Sequence, residues 1–211
     1  RQYIAQHSTG GNDSIIAFYT DDTISSGAGD DSILAFGGND ILDGGAGNDT
    51  LIGGAGNDNY IVDSAGDVVT EYADEGWDEV HTTLLAYALG DNLEGLKYFG
   101  AGAFIGTGNS LDNLLSVTTG GATLDGGAGN DWIYGADGDD VLIGGSGNDE
   151  LYVGRGANRA YGGDGDDVIY GGSGIDELDG DAGNDTLYAG AGNDIIRGGA
   201  GNDIIEGDGG N

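Results

Sequence analysis

Residues 126–206 read GGAGNDWIY GADGDDVLI GGSGNDELY VGRGANRAY GGDGDDVIY GGSGIDELD GDAGNDTLY AGAGNDIIR GGAGNDIIE, nine nonapeptides in one phase without a gap. Self-similarity at a fixed short period marks a stacked repeat architecture, so it is read before any single element. The consensus is G-G-x-G-[ND]-D-x-U-x, with U a large apolar residue. Positions 1–6 carry turn chemistry: glycine accepts positive φ and leaves carbonyls uncovered, and Asn and Asp favour tight turns. Positions 7–9 predict a three-residue strand, with position 8 facing inward and positions 7 and 9 outward. One nonapeptide makes a turn and a strand, and two complete a coil. Same-side turns then recur every 18 residues, stacked about 4.8 Å apart. Working outward, residues 8–61 give six more repeats: STGGNDSII, AFYTDDTIS, SGAGDDSIL, AFGGNDILD, GGAGNDTLI and GGAGNDNYI. The fifteen repeats occupy 135 of 211 residues.

Composition narrows the function classes. The chain has 48 Gly, 38 Asp+Glu and 5 Lys+Arg, no Pro, Cys or Met, and a formal net charge of -33. Without cysteine there is no disulfide framework and no thiolate metal site. The acidic excess argues against nucleic acid and against insertion into or binding to anionic membranes, which need a basic patch. Glycine and charge together would indicate disorder, yet 37% of residues are hydrophobic and 11 are Tyr, too apolar for a solvating tail. Collagen would need Pro and a three-residue glycine period. The longest apolar stretch, around residues 84–89, is too short to span a bilayer. With no methionine and no signal peptide, the chain reads as a segment of a longer protein. The missing proline fits turns that must stack, because proline fixes φ and removes a donor.

Stacked acidic turns repel one another, and a hard divalent cation between them removes the repulsion. Calcium accepts six or more oxygens, carboxylate and carbonyl alike, in flexible geometry, whereas magnesium demands a tighter octahedron. The absence of Cys and the presence of only two His argue against zinc and copper. Turn formation alone explains Gly and Asn, but not an Asp at position 6 in 14 of 15 repeats.

The motif resembles the RTX (repeats-in-toxin) repeat of haemolysin-type calcium-binding proteins secreted by bacteria. The resemblance covers the fifteen repeats and implies an all-β, right-handed parallel β-roll with calcium between turns. It implies that the position-6 side chains bridge successive ions. In the second block one side would use Asp131, Asp149, Asp167, Asp185 and Asp203, and the other Asp140, Asn158, Asp176 and Asp194. In the first block the two sides would use Asp13, Asp31, Asp49 and Asp22, Asp40, Asp58. The same pattern implies carbonyl ligands from positions 2 and 4 of one turn: Gly27, Gly29, Gly45, Gly47, Gly127, Gly129, Gly145, Gly147, Gly163, Gly165, Gly172, Gly174, Asp181 and Gly183. Positions 1 and 3 of the turn one coil later would add Gly44, Ala46, Gly53, Ala55, Gly144, Ser146, Gly162, Asp164, Gly180, Ala182, Ala189, Ala191, Gly198 and Ala200. Pairs of Asp 18 apart lead to an expectation of roughly nine calcium ions, taking the charge from -33 to about -15.

Departures from the pattern carry their own expectations. In the repeat 153–161, Asn158 replaces Asp, Arg155 places a cation beside the turn, and Ala160 replaces the large core residue. Either the two ion positions shared with Asn158 are weak, or carbonyls and the Asn oxygen still hold an ion. The repeat 17–25 has no glycine, marking the start of the first roll, where sites are incomplete. Residues 62–118 break the phase. Short β-branched or aromatic runs alternate there with Gly, Asn and Asp, which predicts strands and turns. They read as calcium-poor coils or a cap, with a helical domain around residues 82–89 as the alternative. Ile16, Leu34 and Ile52 form an apolar outward ladder, over which the insert is expected to fold. The acidic cluster Glu71, Asp74, Glu75, Asp78 and Glu79 reads as a solvated face, with another calcium site as the alternative.

On one outward face of the second block Tyr134, Tyr152, Tyr170 and Tyr188 recur every 18 residues, with Trp132 near their start. They read as a stabilising aromatic ladder, or alternatively as a platform for sugar rings or a protein partner. His7 and His81 are too far apart for an HExxH helix and read as solvated, and no G-x-S-x-G elbow is present. The domain reading is a first roll at 8–61, a β-rich insert at 62–118 and a second roll at 119–211. The functional reading is a non-enzymatic, calcium-binding module of a secreted exoprotein that folds on calcium after export. The resemblance implies the type I secretion machinery of a Gram-negative bacterium as partner and an extracellular location. An adhesive or carbohydrate-binding module using the tyrosine ladder is the alternative, and any catalytic domain would lie outside this segment.

Overall fold

The computed structural model describes residues 10–207 and 209. His7, the first two residues of the first nonapeptide (Ser8 and Thr9) and the end of the second block at Asn211 lie outside the described residues. Among the described residues every regular element is a strand, and the strands pair in parallel. No helix among them is long and apolar enough to cross a membrane. The chain is an all-β parallel β-roll in two compact units, Arg1–Leu84 with Leu89–Gly95, and Leu85–Ala88 with Leu96–Asn211.

In the first unit, Ser14–Ile16, Ser32–Leu34, Thr50–Ile52 and Val68–Val69 form one sheet. Thr23–Ser25, Ile41–Asp43, Asn59–Val62 and Glu79–Thr82 pair in order in a second. The register steps by 18 residues, Ser14 to Ser32 to Thr50 to Val68, as two nonapeptides per coil require. The predicted inward residues Ile15, Ile24, Ile33, Leu42, Leu51 and Tyr60 are all buried between the sheets. Burying an aliphatic side chain of this size contributes about 1.5–3 kcal/mol.

In the second unit one sheet contains Ala86–Ala88, Phe104–Thr107, Ala122–Ala128, Val141–Ser146, Arg159–Asp164, Glu177–Ala182 and Ile195–Arg197. Facing it are Leu114–Val117, Trp132–Tyr134, Glu150–Tyr152, Val168–Tyr170, Thr186–Tyr188 and Ile204–Glu206. Ile133, Leu142, Leu151, Ala160, Ile169, Leu178 and Leu187 line the core between them. At the last described coil the core is open, with Ile205 48% exposed. Four strands of the first sheet, Ala122–Ala128, Val141–Ser146, Arg159–Asp164 and Glu177–Ala182, have six or seven residues rather than the predicted three. They run on through positions 1–3 of the next turn because those backbones pair directly, Gly127 with Gly145 and Ala128 with Ser146.

That close stacking explains the glycines at positions 2 and 4. Gly163 and Gly165 have φ of 111° and 134°. A Cβ on Gly163 would stand 2.0 Å from the Gly145 carbonyl oxygen, and one on Gly165 would stand 1.8 Å from that of Gly147. Any side chain at these places would drive the coils apart.

The degenerate repeat is internally compensated. Positions 1 and 8 of one repeat are neighbours, since a Cβ on Gly171 would lie 3.2 Å from Leu178 Cδ1. In the repeat 153–161 the same pair is Val153 and Ala160, both fully buried. The volume missing at position 8 returns at position 1, as close-packed interiors require.

Two expectations about the insert are corrected. Residues 82–89, the basis of the helical alternative, contribute instead to the strands Glu79–Thr82 and Ala86–Ala88. The insert also does not fold over the outward apolar ladder. Val68 and Val69 pair edge to edge with Thr50 and Leu51, and the Thr70 N–H donates to the Leu51 carbonyl, so the chain continues the stack beyond Ile52. Of the ladder, Ile16 is left 54% exposed, while Leu34 and Ile52 are half-buried. An open strand edge with unpaired N–H and C=O groups is costlier than exposed methyl groups, and the insert meets that larger demand.

Candidate metal centre

Successive position-6 residues are tied from coil to coil. The Asp13 N–H donates to Asp31 Oδ1 at 2.7 Å, Asp31 to Asp49 at 2.8 Å, and Asp49 to Asp67 at 3.0 Å. On the other side of the first roll Asp22 donates to Asp40, Asp40 to Asp58 and Asp58 to Asp78, at 2.7, 2.7 and 2.8 Å. In the second roll one ladder runs from Asn113 through Asp131, Asp149, Asp167 and Asp185 to Asp203. The other runs from Ala122 through Asp140, Asn158 and Asp176 to Asp194. All fifteen sequence-predicted side chains therefore fall on four continuous ladders.

Three ladder members were not identified from sequence. Asp67 and Asn113 stand 18 residues from Asp49 and Asp131 but outside any recognisable nonapeptide. Asp78 stands 20 residues after Asp58, where two additional turn residues hide the period. A second ladder also escaped notice. The position-5 side chains accept from the position-5 N–H one coil later, Asp112 from Asn130, Asn130 from Asn148, and Asn148 from Asp166. Asn and Asp serve there as stacking acceptors as well as turn formers.

The second carboxylate oxygen carries the chemical signal. Oδ2 of Asp31, Asp40, Asp49, Asp58, Asp131, Asp140, Asp149, Asp167, Asp176 and Asp185 is buried with no hydrogen-bond partner. Buried charged oxygens normally pair or ligate a metal. Beside those of Asp49, Asp58, Asp131, Asp140, Asp149, Asp167 and Asp185 stands a space that only glycine leaves, whereas Ser26 and Ala35 hold that position in the repeats of Asp31 and Asp40. A Cβ on Gly144 would meet Asp149 Oδ2 at 2.3 Å and the Gly162 carbonyl at 2.4 Å. Gly162 and Gly180 are placed in the same way against Asp167 and Asp185 and the carbonyls of Gly180 and Gly198. The carboxylate oxygen and the position-1 carbonyl one coil later thus converge on one cradle of hard oxygen donors, the donor set calcium takes.

Many predicted carbonyls of positions 2 and 3 are engaged between turns. The position-3 carbonyls of Ala46, Ser146, Asp164, Ala182 and Ala200 accept from position-4 N–H groups one coil earlier. Position-2 carbonyls such as those of Gly27, Gly172 and Asp181 accept from position 3 one coil later. Each carbonyl keeps a second lone pair.

Burial, opposed by the N–H bonds, pushes the carboxyls of Asp40, Asp131 and Asp167 up to about 7 and that of Asp140 to about 6. Asn158 breaks the row: its Oδ1 takes the Asp140 N–H at 2.9 Å, and its buried Nδ2 has no partner. A donor stands where the other repeats hold an acceptor. Arg155 projects away, with its guanidinium 3.9 Å from Asp137.

Outside the ladders, Tyr134, Tyr152, Tyr170 and Tyr188 stack face to face, with ring centroids 4.7, 4.6 and 5.2 Å apart and near-parallel planes. Tyr152 donates to Glu150, which raises its phenol pKa, and Trp132 Nε1 donates to Glu150 at 3.0 Å. His81, expected to be solvated, is half-buried, with Nε2 2.9 Å from Glu79 Oε2. The cluster at Glu71 is likewise not a solvated face, since Glu71 and Asp78 are 5% and 1% exposed.

A family model described as the RTX calcium-binding nonapeptide repeat (4 copies) matches residues 7–33, 34–69, 116–151, 143–178 and 179–211. No curated protein matches the chain. The matched segments span both ladder-bearing rolls and leave out most of the insert, and on that match the chain belongs to the RTX calcium-binding nonapeptide-repeat family.

Proposed function

We propose that this calcium-binding β-roll is the folding switch of a secreted bacterial exoprotein, unfolded at the low calcium of the cytosol and ordered at the millimolar calcium outside. The observation that supports it best is the row of ten buried Oδ2 atoms without partners. Bound calcium supplies the positive charge that offsets these stacked carboxylates. The position-6 side chains of both rolls hold it, and the position-1 carbonyls join them; positions shared with Asn158 bind weakly.

Without that compensation the chain faces its own repulsion at a net charge of -33, and 48 glycines add backbone entropy to the unfolded state. One large inward side chain per nonapeptide is a thin core against those costs. Metal binding then supplies folding free energy directly. A chain that stays unfolded until it reaches calcium suits export through a narrow channel, and the family resemblance points to type I secretion from a Gram-negative cell. The tyrosine face serves as a stabilising ladder: ring faces that could receive a sugar are stacked on one another. No catalytic role is assigned to the segment.

Circular dichroism of the chain during calcium titration tests the switch. The β signal is expected to be absent in excess chelator and to rise cooperatively with calcium. A complete β signal in chelator overturns the reading.

A further inference from the structure

The first roll ends at a cluster that the repeat does not explain. Tyr60 occupies the inward position 8 of the last repeat, where the other first-roll repeats carry Ile or Leu. Its hydroxyl accepts from the Gly53 N–H at 2.8 Å and donates to Glu71 Oε1. Glu71 follows the insert strand Val68–Val69 and turns into the protein. There its carboxylate, that of Asp58 and that of Asp78 each place an oxygen within 4.8 Å of the others. All three side chains are buried.

These carboxylates are only partly satisfied. Asp58 and Asp78 each accept one ladder N–H through Oδ1. Asp58 Oδ2 and Glu71 Oε2 are buried and have no partner, and neither has Glu75 Oε2 on the same turn. A Cβ on Gly53 would strike both Asp58 Oδ2 and the Tyr60 hydroxyl, so that glycine opens the space. Asp78 N–H is held in turn by Glu94 Oε2 at 2.8 Å. Burial and the neighbouring carboxylates push Glu71 up to about 8 and Asp78 to about 7. So many unpaired acidic oxygens in one buried place are costly unless a cation joins them.

We propose that Asp58, Glu71 and Asp78 form a separate calcium site, assembled from side-chain carboxylates and closing the first roll. The site rests on the calcium reading above but differs from the turn cradles in kind. Those pair one carboxylate with backbone carbonyls, whereas this one brings three carboxylates together, with Glu75 beside them. Ligand charge raises calcium affinity, and irregular spacing suits calcium better than magnesium. Glu71 comes from outside the nonapeptides, so occupation of this site fastens the insert to the last repeat of the first roll.

The test is the number of calcium ions bound by the whole chain, counted by native mass spectrometry at saturation, with anomalous scattering from calcium-grown crystals. Glu71→Gln is expected to bind one ion fewer than the wild type, and the wild-type crystals to show a peak among Asp58, Glu71 and Asp78. An unchanged count in Glu71→Gln overturns the site, as does the absence of that peak while the turn cradles are filled. Should Glu71→Gln fail to fold, the wild-type peak decides alone. Absence of calcium everywhere in the wild type would defeat the turn cradles as well, which separates the two failures.

Discussion

The first roll passes from Asp58 to Asp78 in 20 residues, whereas the second steps by 18 at every position-6 pair from Asn113 to Asp203. Both steps end in the same bond, a position-6 N–H on a carboxylate oxygen at 2.7–3.2 Å. The strands on either side also stay paired, Asn59 with Glu79 and Trp132 with Glu150. The difference teaches where this architecture can vary. Residues can be added to a turn at little entropic cost, provided that strand pairing and the acidic ladder resume afterwards. What changes with the longer turn is the chemistry beside the ladder: the second roll keeps glycine cradles, and the first brings in Glu71 and Glu75.

The comparison can be broken most sharply at a glycine. Gly165→Ala places a methyl group against the Gly147 carbonyl at positive φ, and a loss of about 3 kcal/mol is expected from strain and forced separation of coils. Gly90→Ala in the insert meets only Leu93 Cδ1 at 3.7 Å and has no positive φ, so it should stay within about 0.5 kcal/mol. Chemical denaturation at saturating calcium measures both. Similar losses would mean that the insert stacks as tightly as the repeats.

Acid should sharpen the difference in the absence of metal. Asp40, Asp78, Asp131 and Asp167 are raised to about 7 in the fold, Glu71 to about 8 and Asp140 to about 6. A folded-state pKa above the unfolded value means that the fold binds protons more tightly. The resulting stability is full below about pH 4 and is lost as pH rises through about 6–8. In excess chelator the β signal should therefore grow as pH falls from about 8 to about 5, and Glu71→Gln should flatten the upper part of that profile. A signal that falls with acidification would contradict the sign.

A smaller effect concerns the compensated repeat. Ala160→Leu adds volume beside Val153 and is expected to cost about 1–3 kcal/mol. Val153→Gly in the same chain should recover most of it by restoring the ordinary pairing of positions 1 and 8. Additive losses in the double variant would show that the two residues do not share a space. A modest effect is expected at the tyrosines. Tyr152→Ala interrupts a stack of four rings and should cost about 1 kcal/mol, read as a lower denaturation midpoint.

The nonapeptide phase made much of this structure legible. Position 8 is buried at Ile133, Leu142 and Leu151, and the strands stack 18 residues apart, because glycine turns and single apolar residues leave no other regular way to pack. Legibility failed where the causes lie between coils. Asp78 was hidden by a shift of two residues, although its backbone contact is the ordinary one. Glu71 reads from sequence as part of a solvated acidic face, with a calcium site only as the alternative, since nothing local to it reveals that Tyr60 waits at the end of the core. The position-5 ladder was invisible for a related reason: Asn and Asp suit turns so well that a second use leaves no separate mark. Ala160 looked like a defect because its partner, Val153, lies seven residues earlier and only the packed coil joins them.

The parallel register, with each coil bonded only to its neighbours, also has a mechanical consequence. Contacts do not skip coils, so a force applied along the chain acts on one interface at a time. Peeling away one coil releases 18 residues, an extension of about 60 Å, while the hydrogen bonds of the next coil remain whole. The second roll, whose register steps by 18 throughout, is thus built to yield in steps of uniform length rather than in a single rupture.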